Sequence, residues 1–310
     1  MRKNRRMGKG ERTPIVVIGD ALIDELRGER GVRELVGGAA LNVAVGIRRL
    51  GLPATLIAMV GADAAGDRIR TYLADHRVGL LESPAPHGSS RAVVTRSAGG
   101  EPEYAFNRAA RERGIRFSEA MSEAVSAAPL TVVSCFPFDV PAEVEALRAA
   151  LGAAPLAVDP NPRIDLMRDR SAFLAGFGSL VPGAIVKVGA DDAEVLGYED
   201  LDALRAHLRS RGALAVLATA GAEGAVLESD AGTCIAPASA LPGPVVDTVG
   251  AGDATLAALA VGQVSKAPTD AADWQEVLDR AMAVAAATCR GEGGLLRTPE
   301  SLQERGLFGS

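Results

Sequence analysis

The stretch "VVDTVGAGDATLAALAVG", Val245 to Gly262, sets very small residues and a carboxylate directly before an Ala-rich apolar run. The pattern predicts a helix that starts at the Gly-Ala-Gly. The first amides of a helix lack internal partners and carry partial positive charge, so anions bind there. Gly250, Ala251 and Gly252 have little or no side chain, so a phosphate can touch the backbone. Asp253 sharpens the reading, because a carboxylate in a phosphate cradle repels its ligand unless the chemistry needs it. It suits a base that takes the proton of an attacking hydroxyl during phosphoryl transfer. An Asp in a first helical turn also complements the dipole, and the residue types alone leave both readings open. No Walker sequence competes, and no GxGxxG follows the first apolar run.

Short apolar runs alternate with longer helical patterns along the chain. "PIVVIG" (14–19), "ATLIAMVG" (54–61), "LTVVSCF" (130–136), "PLAVDPN" (155–161), "AIVKVG" (184–189) and "ALAVLATAG" (213–221) read as buried strands. "LNVAVGIRRLG" (41–51), "AGDRIRTYLADHRVG" (65–79) and "PAEVEALRAALG" (141–152) read as helices, the last with Pro in its first turn. This rhythm predicts a doubly wound, mostly parallel sheet with helices on both faces. Two segments break it, at about 23–36 and 88–108. Both read as short alternating strands with Gly turns, and "RAVVTRS…EYAFNR" reads as a hairpin. They predict a small second sheet, a β-lid. Residues 1–12 are expected to be a disordered basic tail and 13–305 a single α/β domain.

The bulk properties exclude several classes. A net charge of −6 gives nucleic-acid binding no electrostatic footprint. The apolar run after the basic N-terminus has five residues, too short for a signal core or a membrane span. The three cysteines lie far apart without CxxC spacing, so neither a zinc site nor a disulfide framework is indicated, and a reducing cytoplasm is the expected setting.

"DTVGAGDA" resembles the C-terminal signature of the ribokinase-like (PfkB) carbohydrate kinases. "GGAALNVAVGIRRLG" (37–51) resembles the family's N-terminal signature, and "GDALIDEL" (19–26) the first strand and turn of its fructokinase-type members. "VDPNPR", "KVGADDAEVLG" and "ATAGAEGAVL" fall between them in family order, so the resemblance runs from about residue 14 to 300. It implies an ATP-dependent kinase acting on a small sugar, with Mg2+ at the phosphates. Asp253 becomes the base, and the amides of Gly250, Ala251 and Gly252 the anion hole. Asp24, Gly38 and Asn42 match the sugar side; Asn42 read alone also suits an N-cap. Arg108, in "EYAFNR", and Arg163, in "DPNPR", are implied acceptor contacts. Lys187, Thr219, Gly221 and Gly224 match the nucleotide side.

Departures from the family pattern are visible. "GADD" puts Gly189 and Asp192 where Asn-x-x-Glu is common, which leaves a water-mediated magnesium role to Asp192. Asp247 and the Val249 backbone match part of a monovalent-cation (K+) site whose other half is expected in Ala287 to Leu296. The favoured acceptor is a ketohexose such as fructose. A 2-keto-3-deoxygluconate kinase, a ribokinase and a non-catalytic sugar-binding regulator are the alternatives. A homodimer through the lid is implied by the family.

Overall fold

The computed structural model describes residues 12–28, 31–95 and 103–303; the basic tail before residue 12 and the hairpin turn at 96–102 lie outside them. The strands are β1 (Ile15–Gly19), β2 (Leu22–Gly28), β3 (Gly31–Gly37), β4 (Ala54–Met59), β5 (Gly79–Ser83), β6 (Ser90–Thr95), β7 (Glu103–Phe106), β8 (Thr131–Ser134), β9 (Leu156–Asp159), β10 (Ile185–Gly189), β11 (Ala215–Thr219), β12 (Ala225–Ser229) and β13 (Gly232–Ala236). The helices are α1 (Ala39–Arg49), α2 (Ala64–Asp75), α3 (Arg108–Arg111), α4 (Glu119–Ala127), α5 (Pro141–Leu151), α6 (Arg170–Gly178), α7 (Ala190–Leu196), α8 (Leu201–Ser210), α9 (Ala251–Lys266), α10 (Ala271–Thr288) and α11 (Pro299–Gln303).

Nine strands form the main sheet in the order β13-β12-β11-β10-β9-β8-β1-β4-β5, parallel from β11 to β5. Alternate residues of one strand feed opposite cores. Ile15 and Val17 pack with residues of α1, α2, α9 and α10, while Val16 and Ile18 pack with α4, α5, α6 and α8. A strand apolar on both faces needs helices on both, which is why these runs read as continuous rather than alternating. The chain turns one way from β1 to β4 and β5, then returns to β8 on the other side. Such a switch point opens a crevice at the carboxyl ends of the strands.

The interrupting segments form a separate four-stranded sheet in the order β3-β2-β6-β7. β2 pairs antiparallel with β3 and parallel with β6; β6 pairs antiparallel with β7, as the hairpin reading expects. Two features differ from the expectation. "EYAFNR" is not one strand, since β7 ends at Phe106 and Asn107 caps α3, its Oδ1 accepting the Ala110 N–H. The β12–β13 hairpin and the edge strand β5 were not foreseen. β12 alternates buried and half-buried residues, a signal weaker than the apolar runs before it.

Helices α1 and α9 cross closely. A Cβ on Gly46 would stand 2.8 Å from Ala257 Cβ and 2.9 Å from Leu296 Cδ1. The absence of a side chain there sets the distance between the two helices. Overpacking of a tight core contact costs roughly 1–3 kcal/mol. Gly46→Leu is therefore expected to lower the thermal midpoint by several degrees, about 2–4 °C per kcal/mol for a chain of this size. Differential scanning calorimetry checks it, and an unchanged midpoint would show the helices free to separate.

Candidate active site

α9 begins where the sequence predicts. Gly250 is its N-cap, in the left-handed region at φ 78°, and Asp253 lies in the first turn. A Cβ on Gly250 would come within 2.4 Å of Gly294 Cα, so both conformation and packing require Gly. The Ala251 N–H turns back to Thr248 O at 3.2 Å. This takes the Ala251 amide out of the expected outward set at 250–252. By helix geometry the outward donors in this turn are the Gly252 and Asp253 N–H groups.

Asn42 lies on α1 and does not cap it; Gly38 is the N-cap, at φ 112°. Asn42 Nδ2 donates to Asp253 Oδ2 at 2.9 Å, joining residues 211 positions apart. The α1 cap is supplied from the end of β1, where Asp20 Oδ1 accepts the Ala40 N–H at 3.0 Å and Asp20 O the Leu41 N–H at 3.2 Å. Asp24, on β2, turns its carboxylate toward Gly37, where a Cβ would stand 2.4 Å from Oδ2. Burial, then the neighbouring Asp20 charge, pushes the Asp24 carboxyl up to about 6 against the pull of Arg163.

Lys187, on β10, is buried and pairs with Asp159 Oδ2 at 2.9 Å. Its Nζ faces the start of α9, 3.0 Å from where a Gly252 Cβ would be. Burial opposes the ammonium charge, but Asp159, then Asp192, outweigh it and raise Lys187 above its ordinary value. Asp192 Oδ2 accepts the Gly189 N–H at 2.6 Å, so this carboxylate closes the first turn of α7. Thr219 ends β11 beside Gly189, and its Oγ1 donates to Val188 O at 3.3 Å. Gly221 opens the turn that follows β11 and has space beside it. Gly224 is also required by packing: a Cβ would meet Ala236 O at 2.2 Å, at the end of β13.

Asp253 keeps some surface open yet lies deep among protein groups. That burial pushes its carboxyl up to about 7; the Asn42 bond lowers it, Asp159 raises it and Lys187 lowers it. Arg163 lies within electrostatic reach of Asp253, Asp20 and Asp192. Arg108 points elsewhere: it is exposed, and its Nε donates to Glu112 Oε1 at 3.0 Å. Asp247 stitches two loops, with Oδ1 accepting the Val249 N–H and Oδ2 the Gly293 N–H, both at 3.0 Å. The loops at 245–249 and 289–293 are thus brought together.

The carboxyl ends of β1, β9, β10 and β11 and the start of α9 therefore hold one constellation: an oriented carboxylate, outward amides and a buried ammonium. Residues 12–300 match the profile of the pfkB family carbohydrate kinases. The chain belongs to this family. A fructokinase of Rhizobium leguminosarum bv. trifolii is 29% identical over 250 residues, 77% of this chain and 76% of that protein. A sugar kinase of Pyrococcus horikoshii in complex with ATP superimposes with a TM-score of 0.76 at 23% identity, covering 95% of this chain and 100% of that one. An aminoimidazole riboside kinase of Salmonella enterica, complexed with aminoimidazole riboside and an ATP analogue, gives 0.74 at 25% identity over 94% and 99%. This PfkB chain is a carbohydrate kinase, and the described residues include no helix long and apolar enough to cross a membrane.

Sequence reasoning missed Asp20 and Asp159. Both stand at the ends of parallel strands, where ligand groups concentrate, and that position was the available signal.

The raised Asp253 carboxyl has a stability consequence. Its folded value near 7 exceeds the ordinary 3.8, so the folded state binds the proton more tightly. Its contribution is neutral at pH below 3.8 and grows unfavourable as pH rises to about 7. Asp253→Asn is expected to raise the thermal midpoint of the ligand-free protein at pH 8, by about 2–4 °C per kcal/mol recovered, with the gain vanishing near pH 4. Equal midpoints for both proteins at pH 8 would contradict that burial.

Proposed function

We propose that the protein transfers the γ-phosphoryl group of ATP to the primary hydroxyl of a ketohexose such as fructose. The observation that carries this reading is Asp253, oriented by Asn42 and set among the α9 amides and Lys187. The hydroxyl oxygen attacks the γ-phosphorus, the bond to the ADP oxygen breaks, and Asp253 takes the hydroxyl proton. The Gly252 and Asp253 N–H groups and the Lys187 ammonium offset the charge of the phosphoryl oxygens, the usual means by which phosphoryl transfer is accelerated. Asp24 and Asn42 hold acceptor hydroxyls, and Gly38 lets backbone approach them. Thr219 and Gly221 face the nucleotide.

Among the described residues no group of three or more His, Cys, Asp or Glu side chains could hold a metal ion. Asp192 is engaged by Gly189 N–H and lies in the field of Lys187. Magnesium is accordingly assigned to the MgATP substrate rather than to a protein cage. Support for a K+ site at Asp247 and Val249 comes from the bonding of their loop to Gly293. A Vibrio cholerae fructokinase of this fold is described in a fructose, ADP and potassium ion bound form. Exposed Val32 and Leu35 on β3 are compatible with a homodimer through the small sheet.

A second reading has its own support. Arg163 acts electrostatically on both Asp20 and Asp24 at the acceptor side, and a cation there suits a sugar acid such as 2-keto-3-deoxygluconate. ATP turnover across fructose, 2-keto-3-deoxygluconate, ribose and a nucleoside decides between them. Fructose is expected to give the highest kcat/KM, and a higher value for the sugar acid would move the assignment to the second reading. With the preferred sugar, Asp253→Asn should lower kcat by roughly 10²–10⁴ while MgATP binding holds, as for loss of a general base. A kcat within a few-fold of wild type would remove Asp253 from that role. No turnover with any acceptor would favour the sugar-binding regulator.

A further inference from the structure

A knot of hydrogen bonds joins the β6–β7 hairpin of the small sheet to the main body, apart from the Arg68–Glu34 bonds that tie β3 to α2. Asp63 caps α2, Oδ1 accepting the Gly66 N–H at 2.8 Å. The same carboxylate grips Ser89 with both oxygens: Oδ1 accepts the Ser89 hydroxyl at 2.7 Å and Oδ2 the Ser89 N–H at 2.8 Å. The Ser89 hydroxyl in turn accepts the Gly61 N–H at 3.1 Å. Asn107 completes the knot. Its Nδ2 donates to Ser89 O at 2.9 Å, and its Oδ1 accepts the N–H groups of Arg91 and Ala110, both at 3.0 Å.

Ser89 immediately precedes β6, and Asn107 immediately follows β7. Both strands of that hairpin therefore leave the body at residues held by one carboxylate and one carboxamide. Ser89 is 3% exposed, so its polar atoms depend on these partners rather than on water. The contact is close: a Cβ on Gly61 would stand 2.5 Å from Ser89 N, and one on Gly88 2.7 Å from Asp63 Oδ2. Burial favours a protonated Asp63, but the bonds from Ser89 and Gly66 outweigh it and keep the carboxyl below its usual range.

The knot reaches the acceptor side through sheet register. β6 pairs in parallel with β2, placing Ala92 opposite Asp24. Only two residues, Ser90 and Arg91, separate Ser89 from that rung. This pairing links the root of β6 to β2 and to the strand position of Asp24.

We infer that Asp63 is a positioning residue for the acceptor: acting through Ser89 and Asn107, it anchors the β6–β7 hairpin of the small sheet and so fixes the strand that carries Asp24. The inference rests on the reading that Asp24 holds the acceptor. It goes beyond helix capping, the ordinary role of an Asp at this position.

Two variants separate anchoring from capping. Asp63→Ser keeps a good cap for α2 but loses the two-oxygen grip. Ser89→Ala leaves the Asp63 cap untouched and removes the hydroxyl link to Gly61. Amide hydrogen exchange without substrate is followed in residues 22–28, 90–95 and 103–106, in α2 and in the main sheet. Exchange in the three small-sheet segments is expected to quicken roughly tenfold in both variants, the scale of one lost charge-assisted bond. α2 and the main sheet should stay within about twofold of wild type. The KM for the preferred sugar should rise roughly tenfold while the MgATP KM holds, a split that general destabilisation does not produce. Unchanged small-sheet exchange, an equal increase across the main sheet, or faster exchange with an unaltered sugar KM would each overturn the inference. If wild type turns over no sugar, the functional reading fails on its own, and the exchange measurement still decides whether Asp63 anchors the sheet.

Discussion

The bond from Asn42 Nδ2 to Asp253 Oδ2 is the contact on which the rest of the site depends. It requires the first turns of α1 and α9 to meet, although these helices come from opposite ends of the chain. Gly46 provides the approach, Gly250 turns the chain into α9 against Gly294, and Asp20 caps α1 from the end of β1. The main sheet serves this meeting by holding β1 between β4 and β8, so that the crevice opens where both helices start.

Charge is the second constraint. Asp253, Asp24 and Asp192 are all raised, chiefly by burial, while Lys187 is kept charged by Asp159 and Asp192. A surplus of buried carboxylates is costly to a resting fold. It is useful to an enzyme that must hold a base unprotonated only near neutral pH. Lys187 is held by Asp159 against the side of Gly252, so positive charge stands at the start of α9 without leaving a buried ammonium unpaired.

The architecture was legible because its signals are local. Continuous β-branched runs between helical patterns read as strands covered on both faces, and the Gly-Ala-Gly-Asp before an Ala-rich run reads as the opening of a helix. The small sheet was visible as two interruptions of that rhythm. What stayed hidden is set by tertiary partners. Nothing in "DPNPR" shows that Asp159 neutralises Lys187, and nothing in "VGAGD" shows that the Ala251 amide turns back to Thr248. Arg108 illustrates the same limit. Its neighbour Asn107 prefers a helix cap to a strand, and this turns the arginine toward Glu112. Gly224 shows it again: the strand end that excludes a Cβ there, at Ala236, lies beyond it in the chain.

The central claim is that Asp253 is a buried carboxylate tuned by Asn42. The most direct measurement is the pH titration of the Asp253 side-chain carboxyl by carbon-13 NMR, in wild type and in Asn42→Ala, both free of ligand. The account predicts a midpoint near 7 in wild type, with a further upward shift in Asn42→Ala, because the Asn42 bond favours the ionised form. A wild-type midpoint near 3.8, unmoved by the substitution, would contradict it.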